Sequence, residues 1–250
     1  MKWDANLYNN SQNFVAEYGK GLLDFVPAGT NKILDLGCGT GTLTRQLAER
    51  CQDVLGIDAS DAMIKAAQKS YPQLKFAVAD ALELSDAQEW DIIFSNAVFH
   101  WIRDHNLLLQ KIHRALKPKG KLICEFGAHG NISIIENGFR RALQEIGVDY
   151  RSKFNFPTVE DFEDLLHQNG FVIEQIYDYD RPTPLKDGAQ GLHHWAIQFF
   201  QRDLGKLSAE QQSNVLERMK HDLKSKLWNG TCWVADYRRL RVIAARQGAD

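Results

Sequence analysis

The sequence predicts a doubly wound α/β fold, a mostly parallel sheet covered by helices on both faces. Three observations carry this. Short apolar runs alternate with helical patterns through the first half of the chain. The first such run ends in a glycine-rich turn, and the next two end in aspartates. Alternation of this kind buries both faces of a parallel sheet, with right-handed crossovers.

The elements follow in order. Residues 12 to 26 place Phe14, Val15, Tyr18, Leu22 and Leu23 at helical spacing, before Pro27, Gly29 and Asn31 break the pattern. KILDLG (32 to 37) reads as the first strand, and Leu43 and Leu47 mark the helix after its turn. VLGID (54 to 58) is the second strand, and Ser60 is placed to cap the helix that follows. KFAVAD (75 to 80) and WDIIFSN (90 to 96) are the third and fourth. Asp104 can cap a helix running to Leu116, KPKG ends it, and KLICEF (121 to 126) is the fifth strand.

The second half changes character. Residues 132 to 147 are helical, with Ile135, Phe139, Leu143 and Ile146 on one face. VEDFEDLLHQNG is a helix closed by Gly170. FVIEQIYDY is a sixth strand, DRPTPLKDG reads as a rigid loop, 189 to 228 is helical, and RLRVIAAR (239 to 246) alternates as a seventh strand. The division expected is a core over 1–180 with an N-terminal helical segment, a helical lid inserted over 181–232, and the last core strand in 233–250.

Bulk properties narrow the function classes. The 250 residues carry a net charge of -2, so no global field recruits nucleic acid. The basic stretches at 113 to 121 and 237 to 241 read as solvated faces or strand edges. No pair among Cys38, Cys51, Cys124 and Cys232 has CxxC spacing, which fits a reduced, cytoplasmic setting. The N-terminus lacks the apolar core of a signal peptide, and no run approaches ~18 apolar residues, so neither export nor a membrane span is expected. No GxSxG, HExxH or GxxxxGK[ST] motif occurs, and the adjacent His193 and His194 are poorly spaced as metal ligands.

Four strand ends carry the chemistry. In ILDLGCGTG, Gly37, Gly39 and Gly41 let a ligand lie against backbone, flanked by Cys38 and Thr40, and the next helix presents its N-terminus. Asp35 stands before the turn and would repel a pyrophosphate, but it suits the ammonium of an amino acid, often through water, while the loop takes the carboxylate. The GxGxG spacing also lacks the last glycine of GxGxxG, because Thr42 stands there. Both features argue against a nicotinamide-dependent dehydrogenase. Asp58, beside Ala59, can accept from both hydroxyls of a ribose. Asp80 can accept from an adenine amino group, with Ala81, Leu82 and Met63 as apolar walls. Asn96 and Ala97 end the fourth strand at the topological switch point, and Phe99, His100 and Trp101 would face an acceptor.

Together, DLGCGTG, GID, AD and SNAVFHW resemble the class I S-adenosylmethionine-dependent methyltransferases. The resemblance extends to the branch with trans-aconitate and malonyl-carrier-protein O-methyltransferases, where an SNA-x-x-x-W stretch follows the fourth strand and an N-terminal W…Y segment folds over the cofactor. Trp3 and Tyr8 match that segment. It covers residues 1 to 126 well and the remainder weakly. It implies a seven-stranded Rossmann-like sheet with an antiparallel last strand, S-adenosylmethionine as cofactor, no metal, and O-methylation of a small-molecule carboxylate. Tyr8, Phe99 and Trp101 are candidates to face the sulfonium, and His100 is an orienting group or base. Arg181, Trp195 and Phe199 of the lid are candidate acceptor contacts, as are Trp3 and, beyond the lid, Arg238. A cofactor-binding scaffold without methyl transfer, or a cyclopropane-synthase-like methylene transferase, are the alternatives.

Overall fold

The computed structural model describes residues 21–85 and 87–248. Seven strands form one sheet in the order β3-β2-β1-β4-β5-β7-β6. They are β1 (Thr30–Leu36), β2 (Cys51–Asp58), β3 (Lys75–Val78), β4 (Trp90–Asn96), β5 (Leu116–Gly127), β6 (Phe171–Pro184) and β7 (Val234–Arg246). The pairs β1/β2, β1/β4, β2/β3 and β4/β5 are parallel. β7 runs antiparallel to β6, since Leu185 N–H donates to Trp233 O at one end and Gln247 N–H to Gly170 O at the other. The order reverses between β1 and β4, which places a switch point there.

Strand residues alternate between two hydrophobic layers. Leu34, Leu36, Ile93, Leu122, Cys124, Phe126, Leu240 and Val242 belong to one core. Their neighbours Ile33, Ile92, Phe94, Ile123 and Ile243 belong to the other. This period of two, apolar on both sides, is why the strands read as continuous apolar runs. Helix α1 (Thr42–Leu47) follows β1, and α2 (Asp61–Ser70) follows β2 with Ser60 Oγ accepting from Met63 N–H. Helix α3 (His105–Ala115) is capped by Asp104, which accepts from Leu107 N–H at 2.8 Å. Helices α4 (Ser133–Glu145) and α5 (Val159–Gln168) come next, then α6 (Gly191–Phe199), α7 (Gln201–Leu204) and α8 (Ala209–Leu227).

The chain divides into two compact units. One takes in the chain up to Ala128, Phe154–Asp178, and the chain from Leu240 onward. The second comprises His129–Lys153 and Tyr179–Arg239. Its interior is aromatic: Phe139 and Phe200 stack at 4.0 Å, and Tyr150 meets both edge-on. Gly138 lets α4 approach α8, where a Cβ would come within 2.9 Å of the Leu223 side chain.

Two expectations are corrected. β6 runs on through DRPTP to Pro184. It is the edge strand, so prolines, which lack an N–H, cost no ladder bond on the open side. The 237 to 241 stretch is not a solvated face. Tyr237, Arg239 and Leu240 are buried in β7, and Arg241 pairs with buried Glu125 of β5.

Candidate active site

Parallel strands put the carboxyl ends of β3, β2, β1 and β4 on one edge of the sheet. Asp58, Asp35 and Asn96 therefore end neighbouring strands, in register Asp35↔Gly56 and Asp35↔Phe94. Buried Ser95 fastens the switch point by donating from Oγ to Leu36 O at 2.8 Å.

The glycine turn is left-handed at Gly37, Gly39 and Gly41, with φ of +76°, +56° and +83°. A Cβ at Gly37 would lie 2.2 Å from the Val98 side chain, so only glycine fits. A Cβ at Gly39 would meet nothing within 4 Å, so open space lies in front of the turn. The amides of the turn point elsewhere than expected. Gly37 and Cys38 N–H both donate to Ile57 O, Gly41 N–H to Cys38 O, and Gly39 N–H to Asp58 Oδ2 at 3.0 Å. Three of those donors fix the turn to β2 and the fourth closes the turn on itself, so these four amides are engaged within the protein.

Asp35 is nearly fully buried, and Thr44 donates to its Oδ2 at 2.6 Å. Burial raises its pKa to about 7, against the lowering effect of Thr44 and with a smaller push from the Asp58 charge. Asp58 is half-buried. Its Oδ2 accepts from Gly39 and its Oδ1 from Ser60 N–H at 2.8 Å. Burial raises its pKa too, while those two amides oppose the rise. Each oxygen can still accept a further bond, as a ribose diol requires. Ala59 is exposed beside it. Asp80 is exposed and caps the following turn, accepting from Leu82 N–H at 2.9 Å. Ala81 and Met63 are buried there, and Leu82 is half-buried.

After β4, Ala97 adopts φ +62° and donates its N–H to Glu125 O at 2.7 Å. The turn Phe99–Trp101 follows. His100 is buried, and Gly127 N–H donates to its Nδ1 at 3.2 Å. Trp101 is half-buried, 5.2 Å from the His100 ring. Phe99 does not face an acceptor. It is fully buried, 5.1 Å from Phe126 and 6.3 Å from Phe162, so it packs the core.

The remaining candidates divide as follows. Trp3 and Tyr8 lie outside the described residues. Arg181, Trp195, Phe199 and Arg238 belong to the second unit. Arg181 bonds to Tyr179 Oη and lies over its ring, and Arg238 pairs with Asp180 at 2.6 Å. Trp195 is buried between Phe199, Phe200 and Tyr237, to whose hydroxyl its Nε1 donates at 2.6 Å. It is a packing residue, not an acceptor contact. Phe154 and Phe156 were not anticipated. Both half-buried rings lie against His100 in the first unit, in a segment without periodicity, charge or motif. No group of acidic, histidine or cysteine side chains among the described residues could hold a metal.

Comparison with known proteins bears on this edge of the sheet. The methyltransferase-domain family profile matches residues 34–124, from β1 through β5. An uncharacterized methyltransferase of Schizosaccharomyces pombe is 30% identical over 98% of both chains. A trans-aconitate 2-methyltransferase of Deinococcus radiodurans is 35% identical, over 52% of this chain and 51% of its own. Among solved structures, the YcgJ protein of Bacillus subtilis superposes with a TM-score of 0.66 at 13% identity, covering 95% of this chain and all of that one (100%). A phosphoethanolamine N-methyltransferase of Haemonchus contortus, solved with S-adenosylhomocysteine, gives a TM-score of 0.59 at 22% identity, over 93% of this chain and 53% of its own. The structural matches speak to fold alone, but the yeast relative matches this chain from end to end: the protein belongs to the class I S-adenosylmethionine-dependent methyltransferases.

Proposed function

We propose that this methyltransferase acts on a small organic acid and methylates a carboxylate oxygen. The bond from Gly127 to His100 carries the reading. Because a backbone N–H donates to Nδ1, the neutral ring bears its proton on Nε2, the tautomer of a donor rather than of a base. A donor suits an acceptor that arrives as an anion and needs orientation, not deprotonation. The trans-aconitate 2-methyltransferases, similar to this chain over about half of each sequence, support the same acceptor class.

In this reading Asp58 accepts from the ribose hydroxyls, and Asp80 from the adenine amino group between Ala81, Leu82 and Met63. Asp35 acts as a buried charge behind Gly37, Cys38, Gly39, Thr40 and Gly41, drawing an ammonium to the carbonyl side of the turn. Asn96 and Ala97 border the amino-acid end, and the face of Trp101 favours a nearby positive charge. S-adenosylmethionine supplies a methyl on a cationic sulfur, and the C–S bond electrons stay with that sulfur as the new C–O bond forms. The chain's part is to hold the acceptor oxygen in line and exclude water, with no proton to move. Arg181, Phe199 and Arg238 are acceptor-side candidates of the second unit.

The test is methyl transfer from labelled S-adenosylmethionine to a panel of mono-, di- and tricarboxylic acids, with the product scored as a base-labile methyl ester. His100→Ala should lower the rate by less than ~10²-fold, with a flat profile around neutral pH, and His100→Gln, which keeps a donor, should recover part of it. A loss of ~10²–10⁴-fold that also removes a titration near neutrality would make His100 a base and the acceptor a hydroxyl or amine.

A further inference from the structure

The structure assigns His105 and Asn155 as positioning residues that hold the Phe99–Trp101 turn, and with it the imidazole of His100, beyond the end of β4. This rests on the reading of His100 as the residue that orients the acceptor. Within the turn, Trp101 N–H donates to Val98 O and Ile102 N–H to Phe99 O, each at 2.9 Å. Four carbonyls of the segment 99–103 also accept from outside it. Phe99 O meets His105 Nε2 at 2.9 Å, and since a carbonyl only accepts, Nε2 bears the proton. His100 O accepts from Asn155 N–H at 3.0 Å. The Asn155 carboxamide nitrogen donates to Ile102 O at 3.3 Å and to Arg103 O at 3.0 Å. The same nitrogen rests against the His105 ring, 3.3 Å from Nδ1 and 3.4 Å from Nε2. The two side chains therefore form one brace, which reaches the turn from α3 and from the 154–156 segment.

His105 is polar where packing alone would call for an apolar side chain. It is 4% exposed, with Phe162 and Phe126 edge-on at 5.5 and 5.8 Å and Phe99 at 6.3 Å. An imidazole buried this way costs stability unless it is bonded, and the bond it makes goes to the turn. Burial holds its pKa below the ordinary 6.5, against the Phe99 bond and the Asp104 charge, so the ring stays neutral and keeps one tautomer. Phe126 precedes Gly127, whose N–H donates to His100 Nδ1 at 3.2 Å. The backbone of His100 is thus tied to Asn155 and its ring to β5, and His105 packs against both supports. An orienting group misplaced by about 1 Å costs on the order of 10²-fold in rate, so a brace of this kind bears directly on methyl transfer.

The test joins nitrogen NMR of labelled histidines to a double-mutant cycle. Above neutral pH, His100 and His105 should both show the tautomer protonated on Nε2. His105→Phe and Asn155→Ala should shift or broaden the His100 signals, while those of exposed His167 and His221 hold. His105→Gln, which returns a donor toward Phe99 O, should restore them. In methyl transfer to mono-, di- and tricarboxylic acids, each brace variant should lower kcat roughly tenfold, with KM for S-adenosylmethionine within a few-fold. In the His100→Ala background the same substitutions should cost less than about twofold, because they act through that ring. No loss in the single variants, or a loss that multiplies in the double, overturns the positioning role and leaves carboxylate methylation standing. If no acid is methylated, the carboxylate reading fails and the spectra decide, displaced His100 signals upholding the brace. His100 signals unmoved in both variants overturn it in either case. If His105→Phe does not fold, Asn155→Ala, which keeps its own N–H bond to His100 O, carries the same measurements.

Discussion

Asp35 is the residue at which folding and the proposed cofactor contact oppose each other. Its carboxyl is buried and has a pKa of about 7, against an ordinary 3.8, so the folded chain holds this proton more tightly than the unfolded one. For an acid shifted upward, stability is greatest below the unfolded value and declines as pH rises toward the folded one. At ~1.4 kcal/mol per pH unit, the cofactor-free protein should lose roughly 4 kcal/mol between about pH 4 and pH 7 from this group. Asp35→Asn should remove that decline and melt higher than wild type at about pH 8. A cofactor ammonium favours the charged carboxylate, so S-adenosylhomocysteine should bind the wild type more tightly above pH 7 than below, and bind the asparagine variant weakly at both. Thermal melts across pH with and without S-adenosylhomocysteine decide this. Asp35→Asn melting below wild type at pH 8 would sink the account. The position of Asp35 was legible because an acid two residues before a glycine turn is a local pattern. Its burial, and the inward aim of the turn's amides, depend on Thr44 and Ile57, which no local pattern pairs with them.

Among the elements, the helices of the second unit show where sequence periodicity stops being informative. Their apolar spacing is clear, but it does not say whether a given ring faces a ligand or a neighbour. Trp195 looked like an acceptor contact and is 3% exposed, with its Nε1 bonded to Tyr237 Oη at 2.6 Å. Trp195→Ala should therefore cost about 3–5 kcal/mol of stability in denaturant unfolding. Trp195→Phe, which keeps a ring but removes the Nε1–H donated to Tyr237 Oη, should cost about 1–2 kcal/mol. Affinity for S-adenosylhomocysteine should hold in both variants, because the proposed cofactor contacts Asp35, Asp58, Asp80 and Asn96 are in the other unit. A stable Trp195→Ala protein with altered acceptor kinetics would restore the contact role. The Phe154-Asn155-Phe156 segment shows the converse. It forms neither helix nor strand, so nothing periodic marks it, and its rings acquire their setting from backbone bonds to the Phe99–Trp101 turn.

At the scale of the whole molecule, the first five strands and their parallel pairing were readable because each strand, turn and helix is contiguous in sequence. The insertion of β7 between β5 and β6 is not contiguous, and its inward-facing charge was read as surface. Arg241 and Glu125 are the case in point. The guanidinium gives Nε and Nη2 to Glu125 Oε2 at 2.7 and 2.6 Å, with side-chain exposures of 12% and 1%. Its plane also lies 5.5 Å from the Phe25 ring and 6.0 Å from that of Tyr177. The pair joins the last strand to β5 at the residue in register with Asn96, next to the proposed cofactor edge. Removing one member of a buried pair leaves the other charge without its counterpart, which costs about 3–5 kcal/mol. Replacing both with apolar groups of similar size is often near neutral, because neither ion must then be desolvated. Arg241→Met should thus destabilise strongly, and adding Glu125→Leu should recover most of the loss. The coupling is read from denaturant unfolding of the two single variants and the double. If the losses add instead of cancelling, the pair is not what joins β7 to the sheet, and apolar packing of Leu240, Val242 and Ile243 holds the strand by itself.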